Sequence, residues 1–288
     1  LGNRILYYES SRGCPFSCSY CLSSTSRGVR YLDVERVKSE ITAFFEAGVK
    51  QVKFVDRTFN SNKKRAKEIF SHIITSYKEK YSPIDINFHF EAAADLFDEE
   101  TIKLLSTAQP GLIQMEIGIQ SFNEKTLQAV DRVSDIDTVY NNSAKLIENG
   151  NIHIHLDLIA GLPYEDFNSF GESFNRIYSL HPHMLQLGFL KMLKGSKIRE
   201  QAQLHQYEYR QYPPYEVLSN SYLSYDDLIV LKGVEDLVEK YYNSGRFVKS
   251  LNYIITTLAG FKSPFQFYLD FYQYCDKKNL LGSPVAAR

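Results

Sequence analysis

Up to about residue 196 the chain alternates short apolar runs with longer amphipathic stretches, the rhythm expected of successive β–α units. The apolar runs predict six strands: Ile5–Glu9, Gln51–Asp56, Ile84–Glu91, Leu112–Gln120, Ile152–Ala160 and Met184–Leu190. The stretches between them predict helices over Val34–Ala47, Lys63–Tyr81, Glu99–Ala108, Thr138–Glu148 and Phe167–Leu180. Gly48 and Gly150 stand where the first and fourth helices should stop, and Asp98-Glu99-Glu100 puts negative charge at the start of the third, where the helix dipole favours it.

Six β–α units in succession suggest either an open doubly wound sheet or a partial barrel. Polar residues sit at the carboxyl end of nearly every run: Asp56, Glu91, Gln120 and Asp157, with a group of cysteines just past the first. That placement favours a barrel whose active face is built from strand C-termini. The expected fold is therefore α/β, a partial (β/α)6 TIM-type barrel over residues 1–196, followed at 197–288 by a small α-helical C-terminal extension. Within the extension, the Gln- and Tyr-rich stretch Gln201–Tyr215, with Pro213-Pro214, predicts a linker or substrate-facing segment. Asp226–Asn243 and Phe247–Cys275 predict helices, the second broken at Pro264. At the other end, Ile5–Glu9 reads as a buried strand that begins almost at once after Leu1, which is not Met. The chain is read as a fragment whose upstream part is missing.

Composition narrows the function classes. With 288 residues, 44% of them hydrophobic, one large core with an appendage is affordable. Lys and Arg total 33 against 34 Asp and Glu, so no long-range field advertises nucleic acid or an anionic membrane as partner. No leader and no apolar run of membrane-spanning length stand out, and a cytoplasmic protein is expected. The 21 Tyr and 19 Phe, unaccompanied by Trp, say little about chemistry.

Three of the four cysteines fall within the eight residues Cys14-Pro15-Phe16-Ser17-Cys18-Ser19-Tyr20-Cys21. This is a poor layout for a disulfide framework and points to a reducing compartment. Three thiolates on one loop can hold three irons of a [4Fe–4S] cube and leave the fourth open, whereas most electron-transfer clusters take four cysteines. A structural zinc site is the alternative, but zinc usually wants a second Cys or His pair and no such pair occurs at suitable spacing. His153 and His155 share one side of a strand that reads as interior, and Cys275 stands alone as an ordinary helix residue.

The Cys-x3-Cys-x2-Cys loop, with Tyr20 before the third Cys, resembles the signature of the radical S-adenosylmethionine (SAM) superfamily. The resemblance implies that Cys14, Cys18 and Cys21 hold the cluster and that SAM chelates the open iron. An electron from a low-potential donor such as flavodoxin or ferredoxin would then cleave SAM to a 5′-deoxyadenosyl radical. The later strand ends are similar to the cobalamin-associated and coproporphyrinogen III dehydrogenase-like branches. Asp56-Arg57-Thr58-Phe59 stands where many members carry a Gly-Gly-Glu stretch that meets the methionine amino group through backbone carbonyls; the glycines are absent here. By the same resemblance Glu91 contacts SAM, Gln120 in Gly118-Ile119-Gln120-Ser121 bonds the ribose, and Arg132 meets the SAM carboxylate. In Asp157-Leu158-Ile159-Ala160-Gly161 the ribose hydroxyls fall to Asp157 and the adenine to Ile159 and Ala160. Cobalamin, brought by an upstream domain outside this chain, is a further implication.

Three functions are weighed. The first is a radical SAM oxidoreductase or transferase acting on a small molecule, with Lys191 and Lys194 serving an anionic, tetrapyrrole-like substrate. The second is tRNA modification like the methylthiotransferases, against which the near-neutral charge counts. The third is a non-catalytic iron–sulfur redox sensor.

Overall fold

A computed structural model describes residues 4–281 apart from 27, 258–260 and 262. Six strands form the main sheet: β1 (Ile5–Tyr8), β2 (Gln51–Phe54), β3 (Asn87–Ala92), β4 (Ile113–Gln120), β5 (His153–Ala160) and β6 (Met184–Phe189). Their order in the sheet is their order in the chain. A doubly wound sheet would reverse direction part-way; six strands in unbroken succession are the (β/α)6 winding of a partial TIM-type barrel. The pairings of β1 with β2, β2 with β3 and β3 with β4 are parallel, with Tyr8 opposite Phe54, Lys53 opposite His89 and Glu91 opposite Glu116.

The connecting helices are α1 (Val34–Glu46), α2 (Lys63–Ser76), α3 (Glu99–Leu105), α4 (Ile136–Glu148) and α5 (Phe167–Tyr178). Each begins at a side chain that accepts from its first-turn N–H groups: Asp33, Asn62, Asp98, Asp135 and Asp166. The Asp135 cap starts α4 two residues before the expected Thr138. Strand β3 starts later than the expected Ile84, because the Ile84 N–H is taken by the Tyr81 carbonyl in a turn.

Two compact units divide the chain: residues 1–118 with 133–155, and 119–132 with 156–288. Strands β4 and β5 run through both, so the division falls inside the β–α succession rather than at 196.

In the first unit the aromatic-rich composition is spent on a ring cluster. Phe90 lies 4.4 Å from Phe59, 4.5 Å from Phe54 and 5.1 Å from Phe70 between centroids, spacings at which aromatic pairs add to area burial. Strand β1 is not the buried strand its apolar run suggested. Ile5 and Tyr7 are 48% and 65% exposed, because β1 stands at the end of the sheet order and its residues alternate between faces.

In the second unit the Gln- and Tyr-rich stretch is folded rather than a linker. Glu208–Tyr209 pairs antiparallel with Val217–Ser219. Helices α6 (Tyr225–Leu237), α7 (Val248–Thr257) and α8 (Pro264–Lys277) complete the extension. Pro264 starts α8 at its first turn, capped by Ser263, where a missing N–H costs nothing. Helix α5 packs on α8 with Gly171 against Phe265: a Cβ at Gly171 would fall 2.6 Å from the ring, which Phe167 and Phe174 hem in. Gly171→Ala is therefore expected to destabilise the protein by about 1–3 kcal/mol, read as a lowered urea midpoint; an unchanged midpoint would show that the ring has room to move.

Candidate active site

The cysteine loop is built from its roots. Ser11–Arg12 pairs antiparallel with Arg30–Tyr31, closing the chain between them into a loop. At the neck Gly13 has φ +106°, and a Cβ there would lie 2.2 Å from the Gly28 carbonyl oxygen, so only glycine fits. Cys18 is buried and Cys14 and Cys21 half-buried; the Cys21 N–H donates to the Cys18 carbonyl at 3.1 Å, turning the chain into the single helical turn Leu22–Thr25. Tyr20 is half-buried beside Cys21.

Asp56 is fully buried. Its carboxylate accepts from the Ser10 N–H at 2.9 Å, the Ser10 hydroxyl at 2.7 Å and the Ser11 hydroxyl at 2.5 Å. Arg65 donates to the Ser10 carbonyl at 3.1 Å. A side-chain contact of Asp56 with SAM is thus not what the geometry offers: the carboxylate is used to fasten the end of β1 and the root of the cysteine loop to the end of β2. Thr58 Oγ1 lies 3.4 Å from Cys14 Sγ.

Glu91 is half-buried, with Arg57 4.0 Å away. Burial, and then neighbouring Glu116, push its carboxyl above the usual range. Along β4 the side chains Ile113, Met115, Ile117 and Ile119 are buried, while Gln114, Glu116, Gly118 and Gln120 on the other face are half-buried. That second face carries a polar network absent from the sequence reading. His89 Nε2 lies 3.4 Å and Lys53 Nζ 3.8 Å from Glu116, and His155 Nε2 lies 3.0 Å from both Gln114 Nε2 and His153 Nδ1. His89 holds Glu116 below the usual carboxylate range. Burial pushes His155 down to about 4, so it is neutral near pH 7. Alternation along β4 was the available signal.

In the second unit Gln120 has φ +73°, an uncommon conformation for a side-chain-bearing residue, and its Oε1 is buried without a hydrogen-bond partner. The next residue, Ser121, donates to Glu165 Oε1 at 2.6 Å, and Ser173 donates to the same oxygen at 3.0 Å. Asn123 completes the brace, donating through Nδ2 to the Tyr164 carbonyl at 3.0 Å. Glu165, fully buried, thus ties the turn after β4 to the turn after β5. Burial pushes its carboxyl up to about 7. Asp157 and Ile159 are half-buried and Ala160 buried on β5, and Arg132 is half-buried. Beyond them the Gly161 carbonyl accepts from Tyr207 Oη at 2.8 Å and Asn220 Nδ2 at 2.9 Å, anchoring the Tyr-rich hairpin to the end of β5.

A profile of the radical SAM superfamily matches residues 8–177, more than half of the chain. The chain belongs to the radical SAM superfamily. Residues 203–286 match a second family, described as a protein of unknown function (DUF4080). Among curated relatives of this radical SAM chain, an uncharacterized methyltransferase, PH0819, of Pyrococcus horikoshii is 31% identical over 163 residues, 54% of this chain and 33% of that protein. The cobalamin-dependent radical SAM methyltransferase TokK of Streptomyces tokunonensis is 26% identical over 211 residues, 72% of this chain and 30% of that one. The chain thus spans about a third of the length of these two relatives. The solved structure of the cobalamin-dependent SAM radical enzyme OxsB superposes with a TM-score of 0.61 at 13% identity, covering 95% of this chain and 45% of that one, and so shares the fold.

The superfamily's cofactors are a [4Fe–4S] cluster and SAM, and the residues present fit them. Among the described residues no three His, Cys, Asp or Glu side chains are close enough together to hold one metal ion. A four-iron cube asks for something different, one thiolate at each of three irons, and three thiols distributed along a closed loop meet that demand. Among the described residues no helix is long and apolar enough to cross a membrane.

Two outcomes follow from the buried carboxyls. Asp56→Ala removes the acceptor of three hydrogen bonds beside a buried guanidinium and is expected to cost about 3–5 kcal/mol in urea unfolding; wild-type stability would show that the node carries no load. Glu165 has its folded value raised above the unfolded one, so its contribution is intact below about pH 4.5 and is lost as pH rises through about 7. The stability difference between wild type and Glu165→Gln should therefore shift by on the order of 3 kcal/mol against wild type over that window. A difference that stays flat with pH would contradict a buried, protonated Glu165.

Proposed function

We propose that this chain is the catalytic core of a cobalamin-associated radical SAM transferase acting on a small molecule. The observation that carries the reading is the closed Gly13–Gly28 neck, which presents Cys14, Cys18 and Cys21 on one loop in a chain of this superfamily. A [4Fe–4S] cluster held by Cys14, Cys18 and Cys21 would supply one-electron chemistry for the reductive cleavage of SAM, with a low-potential protein of the flavodoxin or ferredoxin type as the electron source.

The chain's own residues bind and orient. Cys14, Cys18 and Cys21, with Tyr20 beside the third, hold three irons, and the Asp56–Phe59 backbone takes the methionine amino group. Glu91 meets the same end of SAM, and Arg132 its carboxylate. Gln120 has an amide oxygen lacking a donor, which suits a ribose hydroxyl. Asp157 accepts from the ribose, and Ile159 and Ala160 line the adenine. The polar face at Lys53, His89 and Glu116 supports a hydrogen-bonding rather than an apolar substrate. The likeness to TokK and OxsB supports cobalamin as the partner cofactor, carried outside this chain.

Incubating the anaerobically reconstituted protein with dithionite and SAM should release 5′-deoxyadenosine, and Cys18→Ala should release none. S-adenosylhomocysteine that forms only on adding cobalamin would support methyl transfer. Neither product from a cluster-loaded protein that binds SAM would sink the enzyme reading and leave a redox sensor.

A further inference from the structure

We infer that the Thr58 hydroxyl donates a hydrogen bond to the ligating sulfur of Cys14 and thereby raises the reduction potential of the cluster. The inference rests on the reading of Cys14 as a cluster ligand and goes beyond it by assigning a residue outside the cysteine loop to the control of its redox chemistry.

Thr58 is held at both sides. Two residues before it, buried Asp56 is fastened to Ser10 and Ser11. Two residues after it, buried Asn60 is fastened to Ala93, donating through Nδ2 to the carbonyl at 2.8 Å and accepting from the N–H at 3.0 Å. Between these pins Thr58 is itself only 6% exposed, with Oγ1 3.4 Å from Cys14 Sγ and 2.8 Å from the Arg57 carbonyl oxygen. The same Asp56 contacts fix Ser10 and Ser11, which lead into Gly13 and Cys14. Donor and sulfur are therefore registered by one node.

The direction of the bond follows from hydrogen inventory. A thiol can donate to the hydroxyl, which then gives its own proton to the Arg57 carbonyl. A ligating thiolate has lone pairs and no proton, so only the hydroxyl can donate between these two atoms. Turning it to the sulfur releases the carbonyl of Arg57, an exposed residue that water can serve. Reduction adds negative charge to the cluster and its sulfurs, so a donor there stabilises the reduced state more than the oxidised one; hydrogen bonds to sulfur are among the determinants of cluster potential. A cluster with a raised potential is easier for any given donor to reduce.

The test is a potentiometric titration of the anaerobically reconstituted protein, followed by the electron paramagnetic resonance of the reduced cluster. Thr58→Val, which keeps the branched shape and loses the donor, should load iron as wild type does and titrate at a more negative midpoint. Thr58→Ser should titrate with wild type. A wild-type midpoint in a cluster-loaded Thr58→Val overturns the inference while leaving the Cys14 reading intact. If Thr58→Val and Thr58→Ala both fail to load iron and Thr58→Ser loads it, the hydroxyl serves cluster assembly rather than the potential and the inference falls. If Thr58→Ser fails with them, packing rather than donation is at work and it falls. Cys14→Ala that binds as much iron as wild type would remove Cys14 as a ligand, and both readings would fail together.

Discussion

A carboxyl group sealed in a protein interior has to be matched by hydrogen-bond donors, and Asp56 is such a group. Ser10 and Ser11 supply three donors, and Arg65 lies close enough to contribute positive charge while bonding the Ser10 carbonyl. Because these partners come from the stretch just after β1, satisfying Asp56 fixes where the cysteine loop departs from the sheet. The Ser11–Arg12 and Arg30–Tyr31 pairing then closes that loop, and Gly13 allows the two backbones to meet at its neck. The loop's closure is decided by interactions outside the cysteines.

A similar economy governs the second unit. Gln120 adopts a left-handed conformation at the end of β4, and Ser121 immediately after it is bonded to buried Glu165. The bond offsets local backbone strain with a fixed acceptor and couples the turn after β4 to the turn after β5. The Gly161 carbonyl, one residue past Ala160, extends the coupling to the Tyr207 and Asn220 side chains. Residues of the DUF4080 match are thus fastened to the end of a strand that the radical SAM profile also covers.

The face of the sheet opposite the helices is unusual for its chemistry. Lys53, His89, Glu91, Gln114, Glu116 and His155 share the first unit's part of it. Burial keeps His155 neutral near pH 7 while His89 favours the charged form of Glu116. Donors, acceptors and charges of both signs are held side by side, a setting that rewards a ligand able to hydrogen-bond and penalises one that cannot.

The sequence by itself determined the alternation of strands and helices, the helix stops at Gly48 and Gly150 and the cysteine signature, since each depends on residue type at short range. It also marked Glu91, Gln120 and Asp157 by their place at the ends of apolar runs. What only the tertiary structure decided depends on contacts between segments far apart in the chain. Asp56 shows in the sequence only as a polar strand end, and the donors that its side chain meets, Ser10 and Ser11, lie 46 and 45 residues away. Glu165 gives no sign of its burial until Ser121 and Ser173 are brought to it, and Thr58 gains a chemical role only because Cys14 arrives beside it. The Gln201–Tyr215 stretch reads as a linker or substrate-facing segment because its partners, Gly161 and the strand Val217–Ser219, lie outside its own window. Periodicity reports which face of an element is buried; it does not report which distant donor meets which acceptor, and that pairing fixes the site.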